Sequence, residues 1–216
     1  MDAKLSQRVI HERVRVGYAP SPTATIIPII LTKYYELAPG ASVTFHDLTP
    51  EEMLEGLRKN ELHAALTMRP RPPEMRGLKF HRITRNRLGV ICSPNHPFNE
   101  LTRVDPALVA SQKLVVYRSK DFPEYHDRIA EILNVDHRKL IITKECDNAL
   151  GLITSVESAA GIAIIAKSIM ALAGTRVKFV PFSKSHFLDV GLLHSSRGFS
   201  KSIKTLIAAC AACRDT

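Results

Sequence analysis

Hydrophobic positions in the first third of the chain switch between two periods. Val14, Val16 and Tyr18 alternate with Arg15 and Gly17, the period of a strand. Pro20-Ser21-Pro22-Thr23 then breaks the alternation and leads into an apolar run from Ile26 to Leu37. That run is long enough for a helix, which Pro39-Gly40 ends. Ser42–His46 predicts a second short strand. Thr49-Pro50-Glu51-Glu52 is a complete helix start, with Thr49 as N-cap, Pro50 at the first helical position and Glu52 closing a capping box. Leu62–Thr67 predicts a third strand, too apolar for an exposed sheet. Strands alternating with helices imply a parallel sheet covered on both faces. Ligands of such sheets bind at the carboxyl ends of the strands. The turns Ser21–Thr23 and Asp47–Thr49 lie at two such ends and carry hydroxyls and helix N-terminal amides, the outline of a small-anion site.

The pattern then lengthens and restarts. Residues 70–77 form a proline-rich loop, and Lys79–Pro94 reads as one long strand, polar at first and apolar from Leu88 to Cys92. Asp105 begins a short helix to Ala110. Lys113–Tyr117 is a strand and Arg118–Asp121 a turn, and Asp121 with Glu124 caps a helix to Leu133. Lys139–Thr143 is a further strand. Asp147 caps a helix running to Ala160, with Gly161 at its end. Ile162–Ile165, Val177–Phe182 and Leu188–Leu193 are strands, with a short helix at Ser168–Ala173. Ser200 opens a last helix that carries Ile203, Leu206, Ile207, Cys210 and Cys213 on one face. Two α/β units therefore lie in series. The long strand is one bridge between them, and the strand at 188–193 returns the chain so that the last helix packs on the first unit. Two crossings between two lobes describe a hinged binding protein with its ligand in the cleft. Residues 1–13 are polar, with Leu5, Val9 and Ile10 at helical spacing, and read as the tail of a linker helix or an added leader.

Composition narrows the class. A chain of 216 residues, 45% hydrophobic and 24% charged, has material for one large or two small soluble domains. No run reaches the roughly 18 apolar residues of a membrane span, and the first residues contain no apolar signal segment. Four scattered cysteines (92, 146, 210 and 213) are not a disulfide framework, so a cytoplasmic location is expected. The net charge of +9 is dispersed, and its densest stretch is residues 69–87. Without Trp or an aromatic ladder among the basic residues, nucleic-acid binding by this chain itself is not expected. Cys210 and Cys213 form a CxxC, but on an apolar helix face with no second ligand pair, which reads as core packing. No paired-histidine spacing, nucleophile elbow or phosphate-binding glycine loop is present. No metal, no cofactor and no catalytic group is predicted, and the chain is expected not to be an enzyme.

Several stretches in order, VRVGYAPSPTATIIPIIL, HDLTPEEMLEGLRKNELHAAL, LGVICSPNHPF and ALGLITSVESAAGIAIIAKSI, together resemble the effector-binding domain of LysR-type transcriptional regulators from Arg13 onward. The chain departs from the family's usual Gly and Asp at Asn60 or Glu61 and His63, and from a frequent Gly and Pro near Ser158 and Ala166. The resemblance implies an α/β fold of two Rossmann-like lobes joined by two crossover strands, the periplasmic-binding-protein type 2 fold. Lobe I is expected at 14–90 and 189–216, and lobe II at 91–188. The family's winged helix-turn-helix lies outside this sequence, which implies a regulatory piece of a longer bacterial protein. By the same resemblance, effector contacts are expected from Ser21, Pro22 and Thr23 in the first cleft loop and from Leu48 and Thr49 at the second. Thr67 and Met68 would contribute from the cleft floor, and Tyr117 and Arg118 from the second unit, with Arg118 able to clamp a carboxylate. The implied effector is a small carboxylate or other anion. The implied assembly is a homodimer, tetrameric in the full-length protein, meeting promoter DNA through the N-terminal domain and touching no membrane. The rival readings are a standalone solute-binding protein of the same fold and a small-molecule enzyme built on it.

Overall fold

The computed structural model describes residues 13–197 and 200–213. Leu5, Val9 and Ile10 lie outside the described residues. The first unit runs β1 (Val14–Tyr18), α1 (Pro20–Thr23), α2 (Ile27–Leu37), β2 (Val43–Asp47), α3 (Pro50–Arg58) and β3 (Ala64–Met68). β1 pairs in parallel with both β2 and β3, so the βα turns after β1 and β2 emerge at the same sheet edge. α3 starts as expected: the Glu52 amide donates to Thr49 Oγ1, and the Thr49 amide donates to Glu52 Oε2 at 2.7 Å. The helix from the apolar run is preceded by one extra device, because Pro20–Thr23 forms a separate helical turn of its own.

β4 (Leu78–Cys92) is the long strand. The second unit follows with α4 (Pro106–Ala110), β5 (Lys113–Tyr117), α5 (Pro123–Leu133), β6 (Ile141–Cys146), α6 (Ala149–Glu157), β7 (Ala163–Ala166), α7 (Met170–Ala173) and β8 (Lys178–Pro181). β5 and β6 pair in parallel, while β7 and β8 pair antiparallel to the last residues of β4. β9 (Phe187–Ser195) then returns between β3 and β4, antiparallel to both, and α8 (Lys201–Ala212) closes the chain. α8 packs on α2, with Ile203, Leu206 and Cys210 in the same core as Val16, Ile30, Tyr34, Leu66 and Val190. A separate core gathers Val90, Leu114, Val116, Ile129, Ile164 and Phe182. Leu188 packs against both.

Three local expectations are corrected. Asp121 does not cap α5, because its carboxylate accepts from Arg118 Nη1 at 3.2 Å while Phe122 holds the N-cap position without a side-chain bond. Asp147 does not cap α6. Asn148 does, keeping extended backbone and accepting the Gly151 amide at 2.8 Å. Lys139 belongs to a short 3-10 turn, so β6 starts later, at Ile141. Gly161 is also placed for a different reason than a helix stop. Ala159 takes the left-handed turn at φ 60, whereas a Cβ on Gly161 would lie 2.6 Å from the Lys113 carbonyl.

Candidate functional site

A cleft of about 590 Å³ has walls that come from both halves of the structure. One wall is the turn Ala19–Pro22, the turn Asp47–Pro50 with Glu52, and the end of β3 at Met68 and Arg69. The opposite wall is Tyr117 at the end of β5, Phe122, Glu124, Tyr125 and Ile129 along α5, Asp147–Ala149 at the start of α6, and Ile164–Ala166 on β7. Leu88 and Leu188, one from each crossing strand, lie between them.

Six of the expected residues stand on this cleft: Ser21, Pro22, Leu48, Thr49, Met68 and Tyr117. Three do not. Thr23 is fully buried and its hydroxyl donates to the Ala19 carbonyl at 2.6 Å. Thr67 is 4% exposed and faces away from Leu66 and Met68, the two-residue alternation of a strand. Arg118 points past the cleft to Asp121 and, at 3.7 Å, to Asp147. The α5 side of the wall was not foreseen. Its signal is present, since Phe122, Tyr125, Ile129 and Ile132 recur at helical spacing, but they read equally as one more core stripe.

The polar groups of the cleft are mostly committed. Thr49 Oγ1 donates to Glu52 Oε2 at 2.8 Å, so the hydroxyl serves the helix rather than the cavity. Thr49→Val should therefore cost about 1 kcal/mol of stability, a melting drop of roughly 2–4 °C. Thr49→Ser should restore it, and thermal denaturation checks both. Pro20 and Pro22 offer no amide in the first turn. Ser21 Oγ is different: it is buried beside the Tyr117 phenol and has no hydrogen bond of good geometry. Burial raises the Tyr117 phenol, keeping it protonated and able to donate. Tyr125 donates its hydroxyl to the Ile164 carbonyl at 2.9 Å. Asp47 is raised by burial and then by Glu52.

Two contacts join the walls. On the inner side, Ser168 Oγ donates to the Ser21 carbonyl at 2.7 Å, and Asn86 Nδ2 donates to the Pro22 carbonyl at 2.7 Å and to Ser168 Oγ at 3.2 Å. At the mouth, Arg71 Nη2 donates to Asp127 Oδ2 at 2.5 Å, and Arg71 Nε lies 3.4 Å from Glu124 Oε1, outside hydrogen-bond geometry. Both ends of this clasp are solvent-exposed in part, so it contributes under about 1 kcal/mol. Burial first, and then Glu74, push the Glu124 carboxyl up to about 7, while Arg71 pulls it down. A raised carboxyl binds its proton more tightly folded than unfolded, so its contribution is full near the unfolded value of 4.5 and is lost as pH rises to about 7. Glu124→Gln should accordingly match the parent near pH 5 and melt higher than it at pH 8. An equal difference at both values would place the effect elsewhere.

Among the described residues no group of three or more His, Cys, Asp and Glu is arranged to hold a metal. Cys210 and Cys213 are both buried, and burial pushes the Cys210 thiol up to about 12, away from the reactive thiolate. No helix among the described residues is long and apolar enough to cross a membrane.

A model of the LysR substrate binding domain family matches residues 7–214. Two curated proteins of Cupriavidus pinatubonensis, the HTH-type transcriptional regulators TfdS and TdfR, are each 23% identical over 163 residues, covering 73% of this chain and 52% of theirs. The chain thus spans about half the length of these relatives. Among solved structures, the effector binding domain of QuiR in complex with shikimate superposes with a TM-score of 0.79 at 16% identity, covering 93% of this chain and 95% of that one. The BenM effector binding domain with its effector benzoate gives 0.76 at 18%, covering 93% and 90%. Full-length CbnR complexed with its target DNA gives 0.78 at 16%, covering 93% and 69%. These likenesses establish the fold, that of periplasmic-binding proteins of type 2.

Proposed function

The chain belongs to the LysR substrate-binding domain family, and on that premise we propose that it senses a small-molecule effector in the cleft between two lobes. Residues 14–90 and 189–216 make lobe I, and 91–188 lobe II. The observation that carries this reading is the cleft itself, walled from both sides and crossed by Leu88 and Leu188 at the strands that join the lobes. A ligand touching both walls favours one lobe arrangement by its differential affinity, which is what switching requires. Ser21, Pro22, Leu48, Met68 and Tyr117 are the proposed contacts, with Thr49 supporting its turn. In the longer protein the lobe change passes to DNA-binding domains, and promoter DNA is met only there. The regulator relatives support a sensor in the cytoplasm rather than an enzyme. The shikimate and benzoate held by two neighbours are small ring compounds and support an effector of that size. Their carboxylates would find no ready partner in the Thr49 hydroxyl and amide of this wall, which are already bound to Glu52.

A thermal-shift screen of small ring compounds tests the reading. A true effector at about a hundred times its Kd should stabilise by roughly 2.7 kcal/mol, a rise of about 5–10 °C. Leu188→Arg should abolish the rise. A saturating hit that keeps its full shift in a folded Leu188→Arg protein would move the site elsewhere.

The same reading includes a two-fold dimer in which α2 meets the partner's second lobe. On α2, Ile30 is buried, as is Ile26 at its N-cap, but Ile29, Tyr35 and Leu37 stay 44%, 43% and 49% exposed. Ile141 and Ile142 on the edge strand β6 and Leu150 on α6 are exposed as well. Light scattering should show a dimer at tens of micromolar, and Leu37→Lys should give a monomer. A monomeric parent at that concentration removes the interface.

A further inference from the structure

The walls also bear on the charge of what enters. Leu88, Ile129, Ile164 and Leu188 give the interior an apolar surface beside the Tyr117 and Phe122 rings. An ion entering such a space loses hydration worth several kcal/mol unless a counter-ion waits for it. Arg71 is held by Asp127 with Glu124 3.4 Å away, Arg128 Nη1 donates to Glu131 at 3.0 Å, and Arg69 lies exposed at the rim over the Phe80 ring, so no guanidinium is aimed into the apolar interior. The carboxylates offer a cation little more. Glu52 is held by Thr49, Glu131 by Arg128 and Asp147 by Arg118, and Asp47 lies exposed at the rim. An anion that took Arg71 would leave Glu124 and Asp127 without their guanidinium. Besides Glu124 Oε1 at the mouth, the uncommitted oxygen of the cleft is Ser21 Oγ, 4% exposed as a residue and without a hydrogen bond of good geometry, next to the Tyr117 phenol. Hydroxyls both donate and accept, so this pair matches a neutral polar group.

We propose that the effector is an uncharged ring compound whose amide, carbonyl or hydroxyl group sits between Ser21 Oγ and the Tyr117 phenol, with its ring against the apolar wall. This rests on the reading of the cleft as the effector site. It separates this chain from the two neighbours whose bound compounds are carboxylates.

Benzamide, benzoate and benzylamine share one ring and differ in charge, and their titration into the full chain at pH 7.5, followed by 1H–15N NMR, tests the proposal. Benzamide should bind at least tenfold more tightly than either ion and shift the amides of Ser21, Tyr117 and Leu188. Ser21→Ala removes a hydroxyl with no hydrogen bond of good geometry in the fold, so the variant stays folded and should weaken benzamide about tenfold. Benzoate or benzylamine binding as tightly as benzamide overturns the proposal, as does an unchanged benzamide affinity in Ser21→Ala or no saturable binding by any of the three. If an ion wins with shifts confined to those same amides, the charge inference fails and the cleft reading stands. If the shifts fall on other residues, the cleft reading fails and takes the proposal with it.

Discussion

Gly191→Ala should lower stability by more than about 3 kcal/mol, a fall of roughly 6–12 °C in melting temperature. Gly191 lies in β9 opposite Thr67 of β3 and Arg82 of β4, pinned by pairing on both sides. A Cβ there runs into the His81 carbonyl oxygen and lies 2.9 Å from Arg82 Cα, both main-chain atoms. The register of β4 shifts between Arg82 and Thr84, which brings that backbone close. β9 cannot retreat without loosening its pairing with β3, and β4 cannot without opening its own ladder to β9. Gly17 is the contrast, because a Cβ there meets side-chain atoms alone, Leu62 Cδ1 and Met53 Cγ at 2.9 Å and Leu48 Cδ1 at 3.4 Å, which can shift without moving a strand. Urea denaturation of both variants decides it. A Gly191→Ala protein within 1 kcal/mol of the parent would mean that the crossing strands yield easily.

Ser168→Ala should cost about 1–3 kcal/mol and loosen the first cleft turn at the same time. The Ser168 hydroxyl is buried, donates to the Ser21 carbonyl and accepts from Asn86. Its removal leaves both partners short of a bond in a place closed to solvent. Asn86 keeps its bond to the Pro22 carbonyl, which holds the loss within that range. Amide hydrogen exchange should rise at Ser21 and Thr23, while α3 on the far side of the sheet stays protected. Unchanged exchange at Ser21 alongside a full stability loss would make Ser168 a packing residue only.

How much of this was legible before any coordinates depended on whether the cause was local. The α3 start is local: Thr49, Pro50 and Glu52 satisfy one another within four residues, and the structure keeps them so. Asp105 and Ser200 cap their helices for the same reason. The misplaced caps have distant causes. Asp121 is drawn off by Arg118, and the choice between Asp147 and Asn148 turns on which residue stays extended as β6 ends. The cleft followed the same division. The turns after β1 and β2 were readable because parallel neighbours must deliver them to one edge. Thr67 required knowing the strand parity to a single residue, and α5 joins the wall only through the packing of one half of the molecule on the other.

The place of β9 in the sheet has a consequence for how the protein is made. β9 lies between β3 and β4, yet it is the last strand of the chain, and α8, which completes the first core, follows it. While a ribosome is still extending the chain, β1, β2 and β3 can pair, but the edge of β3 and the polar half of β4 wait without their partner. Unpaired strand edges are where growing chains associate wrongly. The second unit needs only the end of β4 and residues up to Phe182, so it can mature ahead of the first. Joining the two ends through a linker and opening the chain near Gly77 would place β9 and α8 ahead of β1, so β3 would emerge onto a partner already made.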